Sequence, residues 1–497
     1  MTDYYWPPGA RTKHLYIPGS SGYGKTTLMA NLAIQDICET DQPIIVIDPK
    51  GSHEGLVERI LPFIPARRVN DVVYISLKKP VALDLFSYRD PTEKSLVTAD
   101  IITILQRFSY GSWGPAMQGT LRRLIPTLLE APDATFLDIA AFLEIQRRRR
   151  EILKQVSKER AEYWESNEPK KGDAGPISSR IANFEEEPLR TFVSSRRGEG
   201  LNIADLIEEN KIILVDASPP NDDGMILGAL IMSRIQQGIF RRNSNRQYRC
   251  CQLYVDEFHN FVTSAFNVML SQARSFNLSL CLANQHPKQI PDIWDDIIGC
   301  VSSYMIFRMD GTHAAMLKSK IKDATGTDKN TIKTMRLQLE QLKAREEHLA
   351  TVVNDLIIAH GPYQQPQREM WDVAASRRRL EEELNDAEES LHKKPPSFMD
   401  EIPSLPVGAA IYVSSDGSTQ RVQTAPLPPY PPVTFAQTIK DAPSAQSSQK
   451  RTEDKASCNP QKIRQDVRNE HRITGAEKPE VQPGSAPSNV PPHENKT

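Results

Sequence analysis

An excess of basic charge is missing from this chain: 61 Lys and Arg against 63 Asp and Glu leave a formal net charge of −2 over 497 residues. No global positive field announces a polyanion partner, so any nucleic-acid surface has to be local, a pore or a single face. Cysteine is scarce. The six present (Cys38, Cys250, Cys251, Cys281, Cys300 and Cys458) include no C-x-x-C pair. That argues against zinc and a disulfide framework and favours reducing, cytoplasmic surroundings. Long hydrophobic runs are lacking as well. No stretch of about 18 apolar residues occurs, and the opening Met-Thr-Asp-Tyr-Tyr-Trp-Pro-Pro has no apolar signal core. No membrane span is expected, and recruitment to an inner membrane would need a partner. The first strand pattern starts near residue 14, so no accessory domain is expected before it.

What is present is more specific. Gly19-Ser20-Ser21-Gly22-Tyr23-Gly24-Lys25-Thr26 fits G-x-x-x-x-G-K-[ST], a loop that wraps a polyphosphate with inward backbone N–H groups. Lys25 is expected to reach the β- and γ-phosphates, and the Thr26 hydroxyl to ligate Mg²⁺. The predicted binding set is Gly19, Ser20, Ser21, Gly22, Tyr23, Gly24, Lys25, Thr26 and Thr27. Its flanks agree: His14 to Ile17 reads as a short strand, and Leu28, Met29, Leu32, Ala33 and Ile37 fall at helical spacing. The phosphates would then meet a helix N-terminus.

Further strands are expected at Ile44–Ile47, Val72–Ser76, Val81–Leu85, Ile212–Val215, Leu253–Asp256, Leu278–Leu282 and Ala409–Val413, with helical patterns between. The chain divides into a first core part over 1–91, a helical insertion over 92–210 and a second core part over 211–327. A coiled-coil hairpin over 328–394, returning strands over 395–426 and a disordered tail over 427–497 follow. The hairpin rests on Ile332, Met335, Leu339, Leu342, Leu349, Val353 and Leu356, broken by Glu346, and on Val373, Leu380, Leu384, Ala387 and Leu391. It serves either as a solvated helical pair or as an arm for a protein partner. The tail, rich in Pro, Ser, Gln and Lys, is a second candidate for recruitment. The fold class is therefore α/β, with a central, mostly parallel sheet and an inserted all-α region.

A phosphate loop alone does not say what happens to the nucleotide. Leu253-Tyr-Val-Asp256-Glu257 is an apolar strand ending in two acids. Asp256 is expected to hold Mg²⁺ and Glu257 to polarise the attacking water. Gln285, after the strand at 278–282, could sense the γ-phosphate, since its amide both donates and accepts. Asp48 or Lys50, at the end of the second strand, could reach a nucleotide or a nucleic acid, or simply form a turn.

These segments (GSSGYGKTTL, IIVIDPKGS, LYVDEFHNF and LCLANQH) resemble, in order and spacing, the HerA/FtsK class of P-loop ATPases. The likeness is greatest to type IV secretion coupling proteins of the TraG/TraD kind and to HerA-like DNA translocases. It covers roughly 14–315 and extends to 404–425. The resemblance implies a RecA-like core working as a homohexamer around double-stranded DNA without reading its sequence. It also implies ATP and Mg²⁺ as ligands and an arginine supplied by the neighbouring subunit. Arg274 and Arg308 are the candidates for that arginine. Coupling proteins usually carry N-terminal membrane helices, which this chain lacks, and the acid that commonly follows DPKG is replaced by Ser52-His53.

Pore contacts to the phosphate backbone would come from Lys78-Lys79, Arg147–Arg150, Arg196-Arg197, or Arg241-Arg242 with Arg246. Each cluster could equally be a solvated, salt-paired face. The expected activity is Mg²⁺-dependent ATP hydrolysis coupled to DNA translocation. A secretion ATPase moving protein and a nucleotide-switched scaffold remain as alternatives.

Overall fold

The computed structural model describes residues 14–442 apart from 52–53, 109–112, 170, 220, 243–247, 263, 322–328, 359–363, 393–397, 415–416 and 432. At 171–173, 264–265, 267–268, 273–274, 329–334, 356, 386–392 and 398 it describes the backbone alone. Nine strands form one sheet: β1 Leu15–Pro18, β2 Ile44–Asp48, β3 Val72–Ser76, β4 Ile212–Asp216, β5 Cys251–Val255, β6 Leu278–Asn284, β7 Ser303–Phe307, β8 Ala409–Val413 and β9 Thr419–Gln423. Their order is β3-β4-β2-β5-β6-β1-β7-β8-β9. Every pairing from β3 across to β7 is parallel, and β8 and β9 add antiparallel strands at the far edge.

The continuous apolar runs have the meaning expected of strands covered on both faces. In β2, Ile45 and Ile47 enter one core while Ile44 and Val46 enter the other. Helix α1 (Lys25–Glu39) and the short α2 (Leu56–Ile60) cover the second face with Met29, Ala33, Ile37, Val57 and Ile60. The first face carries the larger helical mass, including α3 (Pro91–Arg107), α4 (Pro115–Glu130) and α5 (Asp222–Phe240). Helix α3 starts where it does for a local reason. Pro91 occupies its first turn, and the Asp90 carboxylate accepts from Thr92 N–H at 2.7 Å and Glu93 N–H at 3.1 Å. Helix α5 is apolar nearly all round and is buried accordingly. Its polar Ser233 and Gln237 donate to Asp100 Oδ2 at 3.0 and 2.9 Å.

Helices α6 (Lys329–Ile358) and α7 (Gln364–His392) pack on each other through Leu339 and Leu384, flanked by Met335 and Leu380. Glu346, which interrupts the apolar pattern, receives Arg377 from α7 at 2.7 Å.

Two expectations change. Val81–Leu85 is not a strand: Leu83 makes one isolated parallel bridge to Leu201, and its N–H is taken by Phe192 O. The apolar residues there report burial, not a ladder. The segment 427–442 is not a free tail either. Tyr430 packs against Phe63, and helix α8 (Ala436–Asp441) buries Ile439 in the second core, with Lys440 paired to Glu58 at 2.6 Å. Residues 443–497 lie outside the described ones.

Candidate active site

Strand order brings the chemistry together. β2, β5, β6 and β1 are consecutive neighbours, so the segments leaving their carboxyl ends share one edge of the sheet. In open parallel sheets that edge is where ligands bind. β1 runs into the glycine loop, and α1 begins at Lys25 directly after Gly24, whose φ of 110° is a conformation that favours glycine. Gly19 is needed for a different reason: a Cβ there would lie 2.5 Å from Phe307 Cβ. The loop is thus pressed onto the end of β7, and Ser20 N–H donates to Arg308 O at 2.7 Å while Gly19 N–H donates to Asn284 O at 3.2 Å.

Lys25 is 4% exposed, and its ammonium donates to Gly19 O at 2.6 Å and Ser20 O at 3.1 Å. Burial pulls its pKa below the usual lysine range, while Glu257 and Asp256 push back. Thr26 Oγ1 donates to Asp256 Oδ2 at 2.9 Å. Asp256 is fully buried, and its Oδ1 accepts from Glu257 N–H at 2.9 Å. Glu257 sits in the left-handed region at φ 43°, which turns the chain sharply after β5. Its Oε1 lies 3.4 Å from Gln285 Nε2, and its buried Oε2 has no hydrogen-bond partner among the described residues. Lys25, Thr26, Asp256, Glu257 and Gln285 are therefore brought to one place.

Lys50 joins them. Its Nζ is 2.9 Å from Asp256 Oδ2, 3.4 Å from Thr26 Oγ1 and 3.5 Å from Glu257 Oε1. Burial works against its charge, but Asp256 outweighs this by charge and hydrogen bond, so its pKa is raised. Of the two candidates in this loop, Lys50 reaches the site. Asp48 is buried behind it, accepting from Lys50 N–H and Val57 N–H at 2.9 and 3.1 Å, and its burial pushes its pKa up to about 6.

Several lining residues had no motif to announce them. Arg59 of α2 donates to Thr27 Oγ1 at 2.8 Å. Gln289 accepts from Gln285 N–H at 2.8 Å through Oε1 and contacts His259 Nε2 at 3.2 Å through Nε2. Beyond β9, Ala425 O accepts from Asn31 Nδ2 at 2.8 Å, and just before β8 Gly408 N–H donates to Tyr23 O at 3.0 Å. This roofs a cleft of about 500 Å³ lined by loop and roof together, among them Gly22, Lys25, Thr26, Lys50, Arg59 and Thr424. That volume is in the range of small-ligand sites. Another cleft, of about 410 Å³ beside Arg149 and Trp164, contains no residue of the phosphate loop or the strand ends.

The donor set fits a nucleotide with Mg²⁺. One hydroxyl and one carboxylate converge on a point beside the loop, and Mg²⁺ bound with substrate phosphates commonly uses only one or two protein ligands. No group of three or more His, Cys, Asp or Glu side chains among the described residues could cage an ion by itself. Glu257 Oε2, 3.7 Å from His259 Nδ1 and without a hydrogen-bond partner among the described residues, suits a water.

The arginine candidates separate. The Arg308 guanidinium lies over the Tyr23 ring of its own chain, 5.2 Å from the centroid. Arg274 belongs to a short 3₁₀ turn, Ala273–Phe276, and its side chain is outside the described ones. The basic clusters are only partly spent inside the fold, for Lys78, Arg147, Arg150 and Arg196 stay exposed. Arg148 pairs with Asp138 and Asp133 at 2.7 and 3.2 Å, and Arg149 with Glu168 at 2.5 Å. Arg197 donates to Tyr88 Oη and Leu129 O, Arg241 pairs with Glu93 at 3.0 Å, and Arg242 is buried on three carbonyls. Lys79 donates to Lys440 O at 3.1 Å. Arg246 lies outside the described residues.

Residues 9–219 match the family described as helicase HerA, central domain. That segment holds the phosphate loop and strands β1 to β4. Among solved structures, the plasmid coupling protein TrwB in complex with the non-hydrolysable GTP analogue GDPNP is similar at TM-score 0.51 and 11% identity, over 86% of this chain and 89% of that one. VirB4 of Thermoanaerobacter pseudethanolicus aligns at TM-score 0.49 and 11% identity, over 87% and 94%. TrwB with ADP and Mg²⁺ aligns at 0.45 and 13%, over 63% and 76%. At these identities the likeness to TrwB is one of fold, a P-loop NTPase with a large, mostly parallel sheet. Comparison with the curated proteins gives no match. Among the described residues, no helix is long and apolar enough to cross a membrane.

Proposed function

We propose that this chain hydrolyses ATP with Mg²⁺ and uses the energy to move double-stranded DNA, as a homohexamer. The observation that carries hydrolysis is the Thr26–Asp256 contact at 2.9 Å beside a buried Glu257 carboxylate. Lys25 and the loop N–H groups would bind the phosphates, and Thr26 and Asp256 would hold the metal, which supplies charge neutralisation at the β- and γ-phosphates. Glu257 would take the proton of the attacking water, and Gln285, 3.4 Å from it, would register the γ-phosphate. An arginine from a neighbouring subunit completes the site; Arg274 is the candidate, because Arg308 is already engaged with Tyr23. The DNA part of the reading is supported by the match to the helicase HerA central domain.

The test is phosphate release with and without plasmid DNA, with sizing in ATP. DNA should raise the rate and ATP should favour a hexamer. A rate unaffected by DNA would turn the reading towards a motor that moves protein. Negligible turnover with nucleotide-dependent partner binding would favour a scaffold. The wild-type rate should vanish in Lys25→Ala.

A further inference from the structure

Three oxygens from distant parts of the chain converge on one nitrogen. Asp256 Oδ2, Thr26 Oγ1 and Glu257 Oε1 lie 2.9, 3.4 and 3.5 Å from Lys50 Nζ. Two of them, on Thr26 and Asp256, are the atoms proposed above to hold the divalent cation. Positive charge beside the hydroxyl and the Asp256 carboxylate is what a metal would supply there, and here a tethered ammonium supplies it.

The backbone carrying Lys50 is set in place. Asp48 Oδ1 accepts from Lys50 N–H at 2.9 Å. Gly51, at φ 53°, approaches residues 216–218 so closely that a Cβ would lie 1.8 Å from Ser218 Oγ. The side chain itself is 32% exposed, and a four-carbon stem with a compact charge can withdraw into water, as a planar guanidinium fork fixed by two bonds cannot. A fixed backbone with a retractable head suits a temporary occupant.

We infer that Lys50 is a positioning residue that stands in for the divalent cation, holding Asp256, Glu257 and Thr26 assembled until a metal arrives with a polyphosphate. The inference rests on the ATP-site reading. Its consequence is ordered binding. The two carboxylates are balanced by the two ammonium groups of Lys25 and Lys50, so a free divalent ion finds little net negative charge. A polyphosphate restores the deficit and draws the metal in, and Lys50 then moves aside to the phosphates. Metal and nucleotide are thereby coupled, and the protein does not take up Mg²⁺ on its own.

The test uses the full chain without nucleotide. Thermal unfolding is followed while MgCl₂ is added, against NaCl at equal ionic strength. Wild type should respond weakly. In Lys50→Met the half-saturating Mg²⁺ concentration should fall about tenfold or more, because one competing unit charge has been removed. Lys50→Arg, which keeps the charge, should stay close to wild type, and adding Asp256→Asn to Lys50→Met should erase the gain. Should Lys50→Met be insoluble, Lys50→Gln gives the same readout. Superimposable Mg²⁺ responses of wild type and the uncharged variant would overturn the inference. Fluorescent N-methylanthraniloyl-ATP in Mg²⁺ or EDTA forms the second arm. If wild type binds none, the nucleotide reading fails, while the Mg²⁺ response still judges Lys50.

Discussion

Asp256→Asn is the substitution for which the geometry gives the sharpest expectation. The carboxylate is fully buried and receives three donors: Glu257 N–H on Oδ1, and Thr26 Oγ1 and Lys50 Nζ on Oδ2, each at 2.9 Å. Asparagine keeps one acceptor, which Glu257 N–H retains. The other position becomes an NH₂ group. Thr26 can rotate its hydroxyl to accept from it, but Lys50 has only donors. Lys50 therefore turns outward to water, which its 32% exposure allows. A hydrogen bond to a charged group is worth about 1.5–3 kcal/mol, and relief from burying a carboxylate offsets part of the loss. The net destabilisation at neutral pH should be about 1–3 kcal/mol, read as a lower urea midpoint at unchanged slope. Nucleotide affinity should lose its Mg²⁺ dependence, so that binding of a fluorescent ATP analogue is equal in Mg²⁺ and EDTA. A variant with wild-type Mg²⁺ dependence would refute the assignment of Asp256 to the metal, whatever its stability.

Glu257→Gln should bind ATP normally and slow turnover by about 10²–10⁴-fold, the usual worth of a general base; steady-state phosphate release within twofold of wild type would move the base elsewhere. Asp48 gives a pH signature. Its folded pKa, near 6, stands above the ordinary 3.8 because of burial, so the native state keeps a proton that the unfolded chain has lost. Its contribution to stability is full below pH 3.8 and fades as pH rises through about 6. The urea midpoint of Asp48→Asn relative to wild type should therefore improve from pH 4 to pH 7, and a constant difference would refute this. Deleting 328–394 should leave a soluble protein that still hydrolyses ATP, since helices α6 and α7 bury their apolar seam on each other. Aggregation of the truncated chain would show that the hairpin supports the sheet.

Much of the site could be read from local sequence. The glycine loop is legible because its chemistry demands particular residues at fixed spacing, and the strand ends because buried parallel strands leave uninterrupted apolar runs. The same logic misled at Val81–Leu85. Its burial is real, yet a strand needs a neighbour along its length, and Leu83 has only one bridge. The stretch after 427 failed for another reason: its composition is that of a solvated tail, and a few scattered residues, Tyr430, Phe435, Ile439 and Lys440, dock it. Arg59, Gln289, His259 and the roof at 407–408 and 423–426 carry no signature, since each matters only through what lies beside it.

By itself, the sequence determined the phosphate loop, the paired acids at the end of β5 and the largely parallel α/β class. These depend on residue type and on periodicities of a few positions. The tertiary structure decided which charges remain available. It consumed Arg148, Arg149, Arg197, Arg241 and Arg242 in internal contacts, and it placed Lys50 against Asp256, 206 positions away. Strand order, which sets such neighbours, follows from how the whole sheet is covered by its helices, and no short window of residues contains that information.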